Sequence, residues 1–154
     1  MEEQEKKIEE RLKVETQFKS GASWFFWIAG LSLINSVILI AGGQWSFIVG
    51  LGITQIIDSI GLKLAEQNGF IGNIIALIFD IMAAGIFILF GVFSRKGYSG
   101  AFIVGMVLYA LDGLLFLLVR DFLSVGFHVF ALFFMYSGFK ANKLLKSMAN
   151  IKSI

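Results

Sequence analysis

The sequence predicts an all-α integral membrane protein: an up-down transmembrane helix bundle of four spans plus one interfacial or re-entrant amphipathic helix. Three observations predict it. Of the 154 residues, 57% are hydrophobic and only 16% charged, with a mean hydropathy of +0.81; ordinary soluble domains are less apolar and more charged. The apolar residues fall into runs of bilayer length. Charge is driven to the ends: residues 1–20 hold six Glu and five Lys or Arg, residues 140–154 hold four Lys and no acid, and nine charged groups occupy the 119 residues between. A water-soluble fold of this composition would expose wide apolar patches. The chain therefore divides into a charged helical lead-in on the cytoplasmic side (1–21), a transmembrane bundle (22–139) and a basic amphipathic tail (140–154).

The lead-in reads as a solvated helix. Glu2–Lys6, Glu3–Lys7, Glu9–Lys13 and Glu15–Lys19 are Glu-to-Lys pairs at i,i+4, the favourable order on a helix surface. Because the first apolar run follows this acid-rich stretch and is longer than a signal h-region, no cleaved signal peptide is expected.

Four apolar runs follow: Ala22–Ala41 (20 residues), Phe70–Phe93 (24), Tyr98–Val119 (22) and Phe122–Phe139 (18). About 20 residues of helix cross a ~30 Å hydrocarbon core. The links Ser94–Gly97 and Arg120–Asp121 are short, which forces the last three spans to be antiparallel neighbours. Trp24, Trp27, Trp45 and Tyr98 fall near span ends, where amphipathic rings suit the headgroup layer. Without proline, any bend must come from the 17 glycines.

The run Phe47–Leu64 is the ambiguous element. Ile53, Ile56, Ile57, Ile60 and Leu64 recur at helical spacing, with Thr54, Gln55, Asp58, Ser59 and Lys63 among them. It is either a fifth span or an amphipathic helix at the interface. If it does not cross, the N-tail's five cations, Arg95, Lys96 and the C-tail's four share one side, 11 against the two of Lys63 and Arg120. If it crosses, the division is 7 against 6. The positive-inside rule favours the first, with both termini cytoplasmic. A weak echo supports the second: Phe47-Ile48-Val49-Gly50 recurs as Phe102-Ile103-Val104-Gly105, each copy ahead of an aspartate.

Ionisable groups inside apolar spans need a partner, a water-filled pocket or a function. Asp80, Asp112 and His128 lie inside three successive spans and are expected to face one another. Counted from the outer span ends, they and Asn35 lie about 9 to 15 Å deep. Asn73 lies one heptad from Asp80, Tyr109 one turn from Asp112, and Gln55 and Asp58 belong to the same cluster if the extra helix sits on that side. Ala101, Gly105 and Gly113 are small residues that let helices approach.

Such a cluster serves either to fix helix register through interhelical hydrogen bonds or to carry protons or cations. The sequence favours a structural or accessory membrane component acting by helix packing; the alternative is a proton- or cation-linked transporter or channel subunit. Catalysis is disfavoured. The Gly-x-Gly-Asp signature of intramembrane aspartyl proteases is absent, since Leu108-Tyr109-Ala110-Leu111 precedes Asp112. No HExxH or Gly-x-Ser-x-Gly motif occurs. With no cysteine, thiolate chemistry and Cys-based metal sites are excluded, and neither a cofactor nor a resident metal is expected. No basic patch with interleaved aromatics points to nucleic acid. The expected partners are the lipid bilayer, anionic headgroups at the lysine-bearing tail (with Leu144, Met148 and Ile151 on one face), and a second copy or another membrane protein.

Overall fold

The computed structural model describes residues 1–43 and 47–151, without the side chains of Asn68, Asn150 and Ile151; Trp45 and the end of the basic tail lie outside the described residues. Five helices carry the chain: α1 (Glu2–Ile40), α2 (Gly52–Asn68), α3 (Ile71–Arg95), α4 (Ser99–Leu118) and α5 (Phe122–Ile151). Four of them, all but α2, are long and apolar enough to cross a membrane.

Helix ends follow local chemistry. Gly97 takes φ 86° after α3, letting its N–H reach Ser94 O and the Tyr98 N–H reach Phe93 O, the paired bonds that satisfy a helix's last carbonyls. Gly69 closes α2 at φ 67° and ψ −156°, a conformation open to glycine and strained for other residues. α4 ends with the same two bonds, Arg120 N–H to Leu117 O and Asp121 N–H to Phe116 O, although Arg120 is not glycine and holds φ 58°. α5 then starts on Asp121, whose carboxylate accepts the Ser124 N–H at 3.1 Å and the Ser124 hydroxyl at 2.6 Å.

α1 packs between α3 and α5, α4 spans α5 and α3, and α2 leans on α3. All the packed neighbours among these four long helices are antiparallel. Along α1 and α3, Arg95 meets Ser23 and Phe26 meets Gly91. Along α4 and α5, Asn142 bonds Gly97 O and Ser99 Oγ, and Phe102 meets Phe139. α1 and α5 touch backbone to backbone: a Cβ on Gly21 would lie 2.5 Å from Gly138 Cα. Aromatic rings fill the middle, with Phe25 against Phe87, Phe90 and Phe102.

Since α1 and α3 run antiparallel, the end of α1 and the start of α3 lie at the same end of the bundle, and the segment between them does not traverse it. The five-span alternative would need this segment to run from one end of the bundle to the other. Asn35 accepts the Phe47 N–H at 2.6 Å and donates to Phe47 O at 2.8 Å, while Ser32 Oγ accepts the Leu51 N–H at 2.8 Å. These bonds draw residues 47–51 back alongside α1, so α2 begins inside the bundle and returns to the end it left. α2 meets α3 through small residues; a Cβ on Gly61 would lie 2.6 Å from Ala76 Cβ. Its isoleucine face, Ile53, Ile56 and Ile60, is exposed, and Thr54, Asp58 and Gly61 are buried.

Both tails continue the helices they adjoin. α1 is unbroken from Glu2 and carries the expected Glu3–Lys7 and Glu15–Lys19 pairs, each at 2.7 Å. Residues 140–151 are an uninterrupted part of α5, with Ala141 and Asn142 buried. Asn142's anchorage to the α3–α4 link holds this segment in line with the bundle.

Candidate functional site

The first N–H groups of a helix have no intrahelical acceptor, and inside an apolar bundle they need one. α2 has no capping side chain of its own at Leu51. Asp112, reaching across from α4, supplies the acceptor: Gly52 N–H donates to Oδ2 at 2.7 Å and Ile53 N–H to Oδ1 at 2.9 Å. A carboxylate at a helix N-terminus also meets the positive end of the helix dipole.

His128 of α5 completes this group. Its Nδ1 lies 2.9 Å from Ser124 O, and a carbonyl only accepts, so Nδ1 carries hydrogen. Its Nε2 lies 3.1 Å from Asp112 Oδ2. One proton is therefore shared between Nε2 and the carboxyl, as imidazolium with carboxylate or imidazole with carboxylic acid. The Tyr109 ring stacks on the imidazole at 4.2 Å, and a Cβ on Gly113 would lie 3.1 Å from His128, so the ring lies closely against α4. Thus Asp112, 7% exposed, and His128, 2% exposed, have their polar atoms engaged, while the Tyr109 hydroxyl is buried without a partner.

A second group is assembled by α1, α2 and α3. Asp80 is 0% exposed and faces Asp58 of α2 and Ser36 of α1. Both Asp80 oxygens and Asp58 Oδ1 are buried and make no hydrogen bond of normal length and angle, although Asp58 and Ser36 stand close enough to act on Asp80. Asp58 itself is 4% exposed. Ser36 Oγ lies 3.2 Å from Ser32 O. Six residues of α2, about 9 Å of helix, separate Asp58 from Gly52, where Asp112 binds. The eight expected site residues thus divide. Asp112, His128 and Tyr109 form one group and Asp58 and Asp80 another, while Asn35 ties down the segment leading into α2. Asn73 is half-buried with no hydrogen bond among the described residues. Gln55 is half-buried on the flank of α2 facing α4, lining a groove of about 300 Å³ with Ser59, Lys63 and Phe116.

Two hydroxyls join these groups without having been singled out in the sequence, Ser32 and Ser36, both buried; Thr54, named there only as part of the polar content of α2, is buried at the start of that helix. Ser32, Asn35 and Ser36 sit at i, i+3 and i+4 on one face of α1, so the polar stripe inside an apolar run was a usable signal. Hydroxyls are muted as signals because each can bond a nearby carbonyl, as Ser32 does to Ile28 O at 2.7 Å and Thr54 to Leu51 O at 2.8 Å. No family model, curated protein or solved structure matches the chain, so the site has to be read from its own chemistry.

Proposed function

We propose that the chain is a multi-pass membrane protein with four spans, a re-entrant α2 and both termini cytoplasmic, and that it serves as a proton- or cation-linked transporter or channel subunit. A belt of exposed apolar side chains supports the membrane setting, among them Ile78, Phe79, Met82 and Leu89 on α3 and Leu108 and Leu111 on α4. Such a belt has no stable home in water. Exposed Arg95, Lys96, Lys140 and Lys143 gather at the end bearing both tails, which supports a cytoplasmic assignment for that end. The same lysines suit anionic headgroups.

The observation that carries the functional reading is Asp80, fully buried with neither oxygen in a hydrogen bond of normal geometry. A carboxyl that serves only helix packing gains by being bonded, as Asp112 is; leaving one unpaired in a low-dielectric setting costs several kcal/mol. A bound proton or cation removes that cost. Purified protein in liposomes should show pH-dependent cation or proton flux that Asp80→Asn and Asp58→Asn each abolish. Unchanged flux in both variants would refute the reading.

The packing reading retains one observation in its favour, the Asp112 and His128 bonds that join α2, α4 and α5. On that reading Asp80→Asn and Asp58→Asn alter only melting or assembly, and flux equals that of protein-free liposomes.

A further inference from the structure

We propose that Asp58, Asp80 and Ser36 form a monovalent-cation site that exchanges one cation for one proton. The inference rests on the reading above, that this pair binds ions, and adds the ligand class and the stoichiometry. The donors come from three helices: Ser36 Oγ from α1, Asp58 from α2 and both oxygens of Asp80 from α3. All are oxygens, the donor type that hard cations take. The three carboxyl oxygens named make no hydrogen bond of normal geometry, and Ser36 Oγ, 3.2 Å from Ser32 O, stands close to Asp80.

Charge balance narrows the ligand. Two ionised carboxyls side by side in a buried site repel strongly, and net charge there is costly. Three loadings make the pair neutral: two protons, one proton with one monovalent cation, or one divalent cation. Calcium and magnesium give up hydration water far less readily than a monovalent cation does, and this buried site offers only two carboxyls and a hydroxyl in exchange, which favours the monovalent loading. The first two loadings remain, and they carry equal charge. Interchange between them is therefore electroneutral: a carboxyl O–H bond breaks, the proton leaves to water, and the freed carboxylate oxygen coordinates the incoming cation.

Among the described residues no third titratable side chain acts on Asp80. Asp58 is the titratable side chain facing Asp80, α1 presents the hydroxyl of Ser36, and Asp112 with His128 belongs to the separate group on α2's N-terminus. Ser36 is four residues, about 6 Å, from the end of α1, which puts the site nearer the end of the bundle opposite the tails.

The test uses the full chain in detergent micelles in weakly buffered solution with a pH-sensitive dye. Sodium, potassium or lithium chloride is added, with choline chloride as the control, and bound cation is counted with radioactive sodium or rubidium. The expected result is release of one proton per chain for each cation bound, saturable, and lost in Asp80→Asn and in Asp58→Asn, with partial retention in Asp80→Glu. The two asparagine variants are judged separately, so misfolding of one leaves the other to decide; each is checked for a single monodisperse peak. Cation binding without proton release overturns the exchange but leaves ion binding standing. Proton uptake at an infrared carboxyl band that Asp80→Asn removes, with no cation bound, also overturns the exchange but leaves the proton reading standing. Neither binding nor titration defeats both.

Discussion

Arg120 holds φ 58°, a backbone state that a Cβ disfavours by roughly 1 kcal/mol and that glycine adopts freely. Its side chain is exposed, so nothing in the packing asks for arginine there. Arg120→Gly should raise detergent stability by about 0.5–1 kcal/mol, read as a higher melting temperature. One residue on, the two bonds from Ser124 hold the Asp121 carboxyl below the usual aspartate range. A depressed folded value means that the ionised form is the stabilising one. Its contribution is complete above the unfolded value near 3.9 and disappears as pH falls through the lowered folded value. Asp121→Ala should cost about 1 kcal/mol at neutral pH, and the gap between variant and parent should close in acid melts below about pH 4. A gap independent of pH would mean that Asp121 acts by shape and not by charge.

At the scale of elements, α2 is where sequence reasoning reached furthest and also stopped. Its helical spacing and its polar content were legible, because Thr54, Asp58 and Gly61 share a face opposite Ile53, Ile56 and Ile60. Its anchoring was not, because backbone N–H groups of Gly52 and Ile53 leave no residue-type signal, and the acceptor lies 60 residues away. Asp80 was expected beside Asp112 and His128 because depth was counted along each helix separately. The close approach of α2 and α3 at Gly61 and Ala76 brings Asp58 beside Asp80 instead, and that register depends on the absence of a side chain, which apolar periodicity does not encode. The anchor makes its own prediction. In Asp112→Asn the side-chain amide keeps one acceptor oxygen for two N–H donors and turns NH₂ hydrogens toward another. Leaving a buried donor unsatisfied costs about 1–3 kcal/mol. The variant should melt lower, and hydrogen exchange should accelerate at Gly52 and Ile53 before the rest of α2. Uniform acceleration along α2 would show that Asp112 does not hold its N-terminus.

Across the whole molecule, four long apolar helices were legible because runs of about 20 apolar residues leave few other readings, and their antiparallel order followed from two short links. The end at which the segment after α1 emerges is a different kind of property, fixed by Ser32 and Asn35 binding backbone atoms of Leu51 and Phe47. It has a direct consequence in a bilayer. Gly43 precedes α2 and Gln67 lies in its last turn, while Ser147 lies on α5 beyond Asn142. With no native cysteine, single cysteines at 43, 67 and 147 each report one location. If α2 is re-entrant, a membrane-impermeant thiol reagent added to sealed, uniformly oriented vesicles should label 43 and 67 from one face and 147 only from the other. If α2 crosses, 43 and 67 should label from opposite faces, with one of them matching 147. The second pattern would overturn the re-entrant helix, and with it the placement of Asp58 and Asp80 nearer the end of the bundle opposite the tails.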